Sequence, residues 1–321
     1  MLFGLCLPGR GPLAKPDVLV KLAERADALR FASLFVTDHV VIPITHGSVY
    51  PYSPSGRTAS DWTEGYFEPL ALMGVLAGVT RHVRLGTSVL VVPYRNPVLV
   101  AKMLATLDVM SGGRVILGVG VGWLREEFEA LGSPPFEARG RVTDEYLSLM
   151  RATWTREPVD WAGEFYRMGS VSARPKPVQK DGIPIWVGGH TPAALRRAGE
   201  LGDAWHPIGM RPPAHLHPEE YRDKAATVRE HAKKAGRDPA SLTFTFRVPL
   251  ELKPRTAKAA GGDRAPFRGT AAEVIGDIRA YHELGVTHFV FDPAPPDLRG
   301  QLSTLERFVD EVRPKLPRGR R

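Results

Sequence analysis

Residues 84–123 limit the possible folds more than any other part of the chain, because they read as strand, helix and strand. Residues 83–92 are mostly β-branched and apolar, which is typical of a parallel strand that is buried on both faces. Pro97 suits the first turn of a helix, and Gly112 would end that helix before a second apolar strand at 115–119. Such a βαβ unit requires a parallel sheet and a right-handed crossover.

The two strands of this unit end in residues that could serve a ligand. The first ends at Thr87 and Ser88, and the second runs into the glycines of 118–122. Both ends lie on the side of a parallel sheet where α/β folds place their active sites. A dinucleotide fingerprint would need a helix directly after the strand and an acidic residue about 20 positions later at a second strand tip. That pattern is absent, which leaves either an ordinary tight turn or a loop whose backbone N–H groups hold an anion or a ring system.

The whole chain repeats the alternation of strand and helix. Eight apolar segments read as strands, and helical patterns separate them; the segments are 2–7, 33–37, 83–92, 115–119, 184–187, 202–207, 242–248 and 286–291. This alternation predicts a (β/α)8 TIM barrel that occupies residues 1–321 as one domain. Longer irregular stretches predict insertions after strands 2, 4 and 7. The insertion after strand 2 is rich in Tyr, Pro, Ser and Gly, as in a lid.

Composition narrows the classes of protein to consider. The only cysteine, Cys6, excludes an internal disulfide and is expected to be a buried, inert thiol. No run approaches the roughly 18 apolar residues of a membrane span, and no export signal is recognisable, so we expect a soluble, cytoplasmic protein without a membrane partner. The net charge of +8 is scattered along the chain, which argues against nucleic acid and fits a small anionic ligand better.

Two strand ends carry the strongest candidates for chemistry. Strand two ends in Asp38 and His39; an imidazole can transfer a proton near neutral pH, and an adjacent carboxylate can fix its tautomer. The alternative is a histidine that merely forms a hydrogen bond where a loop begins. Strand five ends in residues 188–191, where Gly188, Gly189 and His190 precede a helix capped by Thr191. This segment predicts a phosphate cradle, and its alternative is an ordinary strand-to-helix turn.

Two other classes of site find little support. His39, His190 and His206 lie on different predicted strands, and no nearby carboxylates show the spacing of metal ligands, so we expect no metal. The Gly-x-Ser-x-Gly elbow of many serine hydrolases is absent.

Taken together, these segments resemble the bacterial luciferase-like monooxygenase family, and within it the branch that uses the deazaflavin coenzyme F420. The resemblance runs over nearly the whole length, and its most specific parts are FVTDHVVIP, RLGTSVLVVPYRNPVLVAK, GRVILGVGVGWLREEFEALG, RPKPVQKDGIPIWVGGHTPAALRRAGELGDAW and LGVTHFVF. It implies a (β/α)8 barrel, a homodimer and a flavin-type cofactor, F420 first and FMN as the alternative.

The resemblance also implies roles for individual residues. His39, with Asp38, would face the reactive carbon of the cofactor. Thr87, Ser88 and Val89 would contact the cofactor, with a cis peptide between Ser88 and Val89 under the central ring. The phosphate of the cofactor tail would be held by a set of loop residues: Gly120, Val121, Gly122, Gly188, Gly189, His190 and Thr191.

The substrate pocket is expected to include Trp123 and Tyr66. The sugar-phosphate dehydrogenases of the family carry a glutamate at the position of Trp123, so the tryptophan argues against glucose 6-phosphate as substrate. The lid at 50–66 and the insertion around 161–166 are expected to shape the pocket for a small organic molecule.

Four functions follow as hypotheses. The first is an F420-dependent oxidoreductase that moves a hydride between the deazaflavin and a small organic substrate, with His39 handling the proton. The second is a monooxygenase that uses reduced FMN and oxygen and is supplied by a separate flavin reductase. The others are a flavin carrier without catalysis and a phosphate-sugar isomerase on a similar barrel.

Overall fold

The structure is a computed structural model that describes residues 1–56, 65–254 and 264–317. The strands in chain order are β1 Leu2–Cys6, β2 Ser33–Val36, β3 Arg84–Thr87, β4 Leu90–Val91, β5 Val115–Gly120, β6 Val159–Ala162, β7 Arg167–Val171, β8 Ile185–Val187, β9 Ala204–Trp205, β10 Thr243–Leu252, β11 Arg268–Gly269 and β12 His288–Pro293. The α-helices are α1 Pro16–Ala28, α2 Pro69–Val79, α3 Pro97–Ser111, α4 Arg125–Ala130, α5 Arg139–Thr155, α6 Pro192–Glu200, α7 Pro218–Lys234, α8 Ala271–Glu283 and α9 Leu298–Arg307.

Eight of these strands close into a parallel barrel, as predicted. Their order around the barrel is β1, β2, β3, β5, β8, β9, β10 and β12, and β12 pairs back onto β1. The helices between them cover the outside, and the insertions follow β2, β5 and β10. All eight strands therefore point their carboxyl ends to the same mouth of the barrel.

The barrel has one core inside and another between strands and helices. Side chains from alternating strand positions fill the interior, among them Phe35, Ile116, Trp186 and Val290. The predicted burial of Cys6 is confirmed, and burial raises the pKa of its thiol to about 12. This packed interior supports the strand ends from below.

Local sequence signals explain where several helices begin and end. The side chain of Asn96 accepts hydrogen bonds from the N–H groups of Val98 and Leu99 and so caps α3, which ends at Gly112 in the left-handed conformation (φ 71°). Thr270 and Glu273 form the reciprocal capping box that the sequence predicts for α8.

The structure differs from the predicted elements in three places. The predicted strand 83–92 is broken into β3 and β4, because the chain leaves the barrel wall at Ser88 and Val89. The predicted strand 242–248 is too short at its end, since β10 extends to Leu252. The insertion around 161–166 is a β6–β7 hairpin.

No helix within 1–56, 65–254 and 264–317 is long and apolar enough to cross a membrane.

Candidate functional site

The carboxyl ends of the barrel strands surround a cavity of about 1090 Å³. Every residue that the sequence analysis assigns by itself to catalysis, the cofactor or the substrate pocket lines it, except Thr87. Thr87 is fully buried below the cavity, and its hydroxyl donates to the Gly118 carbonyl at 2.6 Å. Thr87 therefore joins β3 to β5, and the prediction that it contacts the cofactor is wrong.

His39 lies in the cavity wall and is held by a carboxylate from another element. Its Nδ1 is 2.7 Å from Glu127 Oε2 on α4. Glu127 is fully buried and also accepts from the Tyr94 hydroxyl at 2.9 Å and from the N–H groups of Val40 and Val41. Because a carboxylate with four donors acts as the acceptor, Nδ1 of His39 carries the proton, and Nε2 of the neutral ring is then the proton-accepting atom.

Asp38 does not pair with His39, which corrects the prediction from sequence. Its carboxylate accepts two hydrogen bonds from Arg95, both at 2.8 Å, and one from the Val91 N–H at 2.8 Å. The Asp38 side chain is completely buried, and Arg95 also reaches Glu68 at 3.0 Å. Asp38 therefore fixes the loop after β3, and Glu127 takes the place next to the imidazole.

Ser88 and Val89 form the floor of the cavity, and the predicted cis peptide between them is present. Glycines let this segment approach its neighbours. A Cβ on Gly120 would lie 2.5 Å from a Val89 methyl group, and one on Gly188 would lie 2.9 Å from the other methyl group. Gly120 and Gly188 thus have a packing reason to be glycine, whatever their loops bind.

Two side chains, one directly after β9 and one on the neighbouring strand β10, hold Ser88. Its hydroxyl is 2.8 Å from His206 Nε2, and His206 Nδ1 is 2.6 Å from the Thr245 hydroxyl. Burial, followed by the nearby Arg247, lowers the pKa of His206 to about 3, so the ring stays neutral. Arg247 donates to the Ser88 carbonyl at 2.6 Å. The floor is therefore fixed by a polar network inside the barrel.

Arg247 belongs to a cluster of charges at the ends of β10 and β12. It donates to both oxygens of Asp292, at 2.7 Å for its shortest bond, and Arg211 donates to the same carboxylate at 2.8 Å. Burial raises the pKa of Asp292, but the two guanidinium groups outweigh burial and lower it to about 2. All three side chains line the cavity.

Another part of the wall offers donors to an anion. Thr191 caps α6 as predicted, by accepting from the Ala194 N–H at 3.3 Å. Beside this helix start, His190 Nε2 and Arg139 Nε are buried polar atoms without a hydrogen-bond partner. Arg197 also lines the cavity, although Asp144 and the Gly140 carbonyl already hold its guanidinium. The free donor capacity lies at Arg139 and at the beginning of α6.

Aromatic rings cover His39. Tyr66 and Trp123 lie with ring centroids 4.9 and 6.2 Å from His39, and Tyr50 packs against Trp123 at 5.2 Å. The predicted lid 50–66 is described only in part, since residues 57–64 lie outside the described residues. Trp161 and Tyr166 are not among the residues that line the cavity. The hairpin instead packs on α5 through Glu145, so the prediction that it shapes the pocket is wrong.

Glu126 fastens the start of the lid. Its carboxylate accepts from the N–H groups of Gly47 and Ser48, at 2.7 and 3.1 Å, and from the Ser48 hydroxyl at 2.7 Å. Burial raises the pKa of Glu126, but these hydrogen bonds, led by that of Ser48, outweigh burial and lower it to about 2. The ionised carboxylate is the form that holds the lid.

We expect Glu126→Gln to loosen the segment around Gly47 and Ser48, because one oxygen that accepts two backbone N–H groups loses its charge. Amide hydrogen exchange measured by mass spectrometry should be up to about tenfold faster there. Since the pKa of Glu126 is lowered in the fold, its contribution should be complete above the unfolded value of about 4.3 and fall as pH drops toward about 2. Glu129→Gln, an exposed position on α4, is the control. Equal exchange rates in both variants would contradict this role.

Within the described ranges, no three His, Cys, Asp or Glu side chains come close enough to hold a metal ion.

The sequence analysis missed several residues that shape the site. Asp292 directly follows an apolar strand, so the strand-end rule that selected His39 would also have selected it. Arg247 is the only charged residue of the predicted strand 242–248 and could have been noticed for that reason. Glu127 and Arg211 carry no comparable signal, because only tertiary structure brings them to the cavity.

Comparison with known proteins places these residues in a family. Residues 1–268 match the sequence profile of the family described as luciferase-like monooxygenase. An uncharacterized protein of Mycobacterium tuberculosis is 35% identical over 91% of this chain and 93% of its own length. The F420-dependent glucose-6-phosphate dehydrogenase of Amycolatopsis mediterranei is 28% identical over 94% of this chain and 95% of its own length.

Solved structures share the barrel. An F420-dependent secondary alcohol dehydrogenase in complex with an F420-acetone adduct superposes with a TM-score of 0.77 at 21% identity, over 97% of this chain and 98% of that chain. The FMN complex of the oxygenating constituent of 3,6-diketocamphane monooxygenase from Pseudomonas putida gives 0.74 at 18% identity, over 99% of both chains. At these identities the likeness concerns the fold.

Proposed function

The chain belongs to the luciferase-like monooxygenase family, and from this premise and the geometry of the cavity we propose that it is an F420-dependent oxidoreductase acting on a small organic substrate. The observation that carries the proposal is the His39–Glu127 pair in the wall of a large cavity. Hydride transfer to or from an oxygen-bearing carbon needs a group that takes up or returns a proton. The F420-dependent relatives named above support the choice of cofactor.

The residues present fit a cofactor with a flat ring and a phosphate-bearing tail. Val89 and Ser88 offer a firm floor, because glycines and the His206 network fix them. The unpartnered atoms of His190 and Arg139, beside the N-terminus of α6, suit a phosphate. Burial lowers the pKa of His190, and an anion there would oppose this shift and favour the protonated ring, which donates from both nitrogens. A bound deazaflavin would supply the hydride chemistry.

The residues of the chain supply position and proton transfer. Glu127 fixes the imidazole so that Nε2 of His39 can accept a proton from a substrate hydroxyl, or return one in the reverse direction. The rings of Tyr66 and Trp123 shield this position from water, which strengthens the electrostatic interactions inside. The proposed role of His39 is therefore that of general acid and base.

A parallel fluorescence titration with oxidised and reduced F420 and FMN tests the choice of cofactor. We expect F420 to bind clearly more tightly than FMN, and substrates can then be screened by the change in deazaflavin absorbance. Binding of neither cofactor would contradict the proposal. A preference for reduced FMN would favour the second candidate, an oxygen-using monooxygenase supplied by a flavin reductase. The structural likeness to the FMN complex of 3,6-diketocamphane monooxygenase supports this candidate. Oxygen consumption separates the two activities.

We also propose that the protein forms homodimers through α2 and α3. Apolar side chains stand exposed on both helices, with Val75 53%, Leu99 58% and Met110 79% exposed. Single exposed apolar residues are ordinary, but a set on two adjacent helices is typical of an interface.

Met110→Glu is expected to shift the protein from dimer to monomer, because a charge in an apolar interface loses its hydration. Light scattering after size-exclusion chromatography measures the mass. Ile44→Glu, at a 94% exposed position elsewhere, is the control and should leave the mass unchanged. A monomeric wild-type protein would disprove the dimer.

A further inference from the structure

The carboxylates along the cavity wall are not equally matched by cations. In the described part of the chain four of them line the cavity, and three pair with one cation each, although the partner of Asp38 also pairs with Glu68. These pairs are Asp38 with Arg95 at 2.8 Å, Glu137 with Arg125 at 2.6 Å and Glu220 with Lys224 at 2.8 Å. Asp292 alone is shared by two cations, Arg211 and Arg247.

The shared carboxylate leaves one positive charge in excess at the ends of β10 and β12. Arg247 and Asp292 are only 11% and 15% exposed, and Arg211 is 38% exposed. A charge that is largely removed from water and not fully compensated is unfavourable, and an anionic ligand would relieve this cost. The cluster also contacts Ser88 on the cavity floor through Arg247, so such a ligand would lie near the proposed site of reaction.

One polar atom of this cluster lacks a partner in the protein. Arg211 Nε is buried without an acceptor, although another nitrogen of the same guanidinium donates to Asp292. Because buried polar groups are nearly always hydrogen-bonded, a ligand that accepts from Arg211 Nε would complete this guanidinium.

We propose that the substrate is a small hydroxycarboxylic acid, whose carboxylate binds Arg211 and whose hydroxyl gives its proton to His39 in the proposed reaction. A carboxylate carries the single negative charge that the cluster lacks, and it matches the planar donors of arginine. This site uses residues other than Arg139 and His190, to which the cofactor phosphate is assigned. That the acid is a substrate rests on the proposed function, whereas its binding does not.

Thermal-shift and tryptophan-fluorescence titrations of the cofactor-free protein test the site. The probes are glycolate, lactate, 2-hydroxyisocaproate and mandelate, each compared with its own primary amide. We expect at least one acid to bind about tenfold or more tightly than its amide, with a preference that shrinks as salt is added. The proposal fails if no acid binds better than its amide. It also fails if glycerol 3-phosphate binds better than every acid, because the ligand would then be a phosphate ester.

Variants test whether Arg211 is the residue that binds the carboxylate. Arg211→Gln should abolish the preference for acid over amide, and Arg211→Lys should keep most of it because the charge remains. Arg222→Gln, at an exposed arginine outside the cavity, should change nothing. A preference that survives Arg211→Gln would show that the anion binds elsewhere and would overturn the assignment.

The acid titrations and the cofactor titration test separate claims. Binding of F420 without any preference for acids would remove this inference and keep the proposed function. A preference for acids without cofactor binding would keep the anion site and remove the redox function.

Discussion

His39→Ala is expected to lower turnover with F420 by about 10² to 10⁴-fold, the usual contribution of a positioned acid–base group. Binding of the cofactor should persist, because the residues assigned to its ring and phosphate are untouched. The measurement is steady-state deazaflavin absorbance with a substrate identified by screening, together with fluorescence titration of the variant. Added imidazole should restore part of the lost turnover, which a purely structural role would not predict.

The control is His82→Ala, at an exposed histidine just before β3 and outside the cavity. It should retain wild-type turnover. If His39→Ala also retains turnover within a few-fold, another group transfers the proton, and the central element of the proposed function is wrong. The turnover of Glu127→Gln should lie between those of His39→Ala and His82→Ala. The substitution removes the charge that stabilises the protonated imidazole but keeps an oxygen that can accept from Nδ1 of His39.

Asp38→Ala is expected to act on stability, with a loss of about 3–5 kcal/mol in the free energy of unfolding. The substitution removes a fully buried carboxylate with three hydrogen bonds and leaves the buried Arg95 with Glu68 as its remaining acidic partner. Urea denaturation monitored by circular dichroism measures the change. Turnover per folded molecule should fall far less than in His39→Ala, because the His39–Glu127 bond remains.

Asp223→Ala is the matching control, since its carboxylate is 75% exposed and pairs only with the exposed Arg222. Its effect should stay within about 0.5 kcal/mol. If Asp38→Ala is as stable as this control but inactive, Asp38 has the catalytic role that the sequence suggested.

The periodicity of the chain was sufficient to predict the barrel. Alternation of apolar strands and helices depends on local patterns, so the eight barrel strands and cap residues such as Thr191 and Thr270 could be predicted. The strand-end rule also found the side of the barrel where the cavity lies, since a parallel barrel directs all carboxyl ends to one mouth. Where strand 83–92 breaks at Ser88 was visible only through the family resemblance.

Side-chain partners could not be predicted in the same way. Asp38 and His39 are neighbours in sequence, but successive residues of an extended chain point in different directions, and their side chains meet Arg95 and Glu127 respectively. Glu127 is 88 positions from His39, and Arg211 is 81 positions from Asp292. Such pairs depend on how the segments after β2, β5 and β9 fold over the barrel mouth, about which periodicity carries no information.

The adjacent carboxylates of α4 have a consequence for protein engineering. Glu126 holds the beginning of the lid, while Glu127 holds the imidazole. The short helix α4 therefore positions both the lid and His39, two parts of the site that a designer would wish to exchange separately. A lid transplanted from a relative to change substrate range should be moved together with the helix that corresponds to α4 in that relative. A foreign lid combined with the original α4 would misalign both the lid and His39.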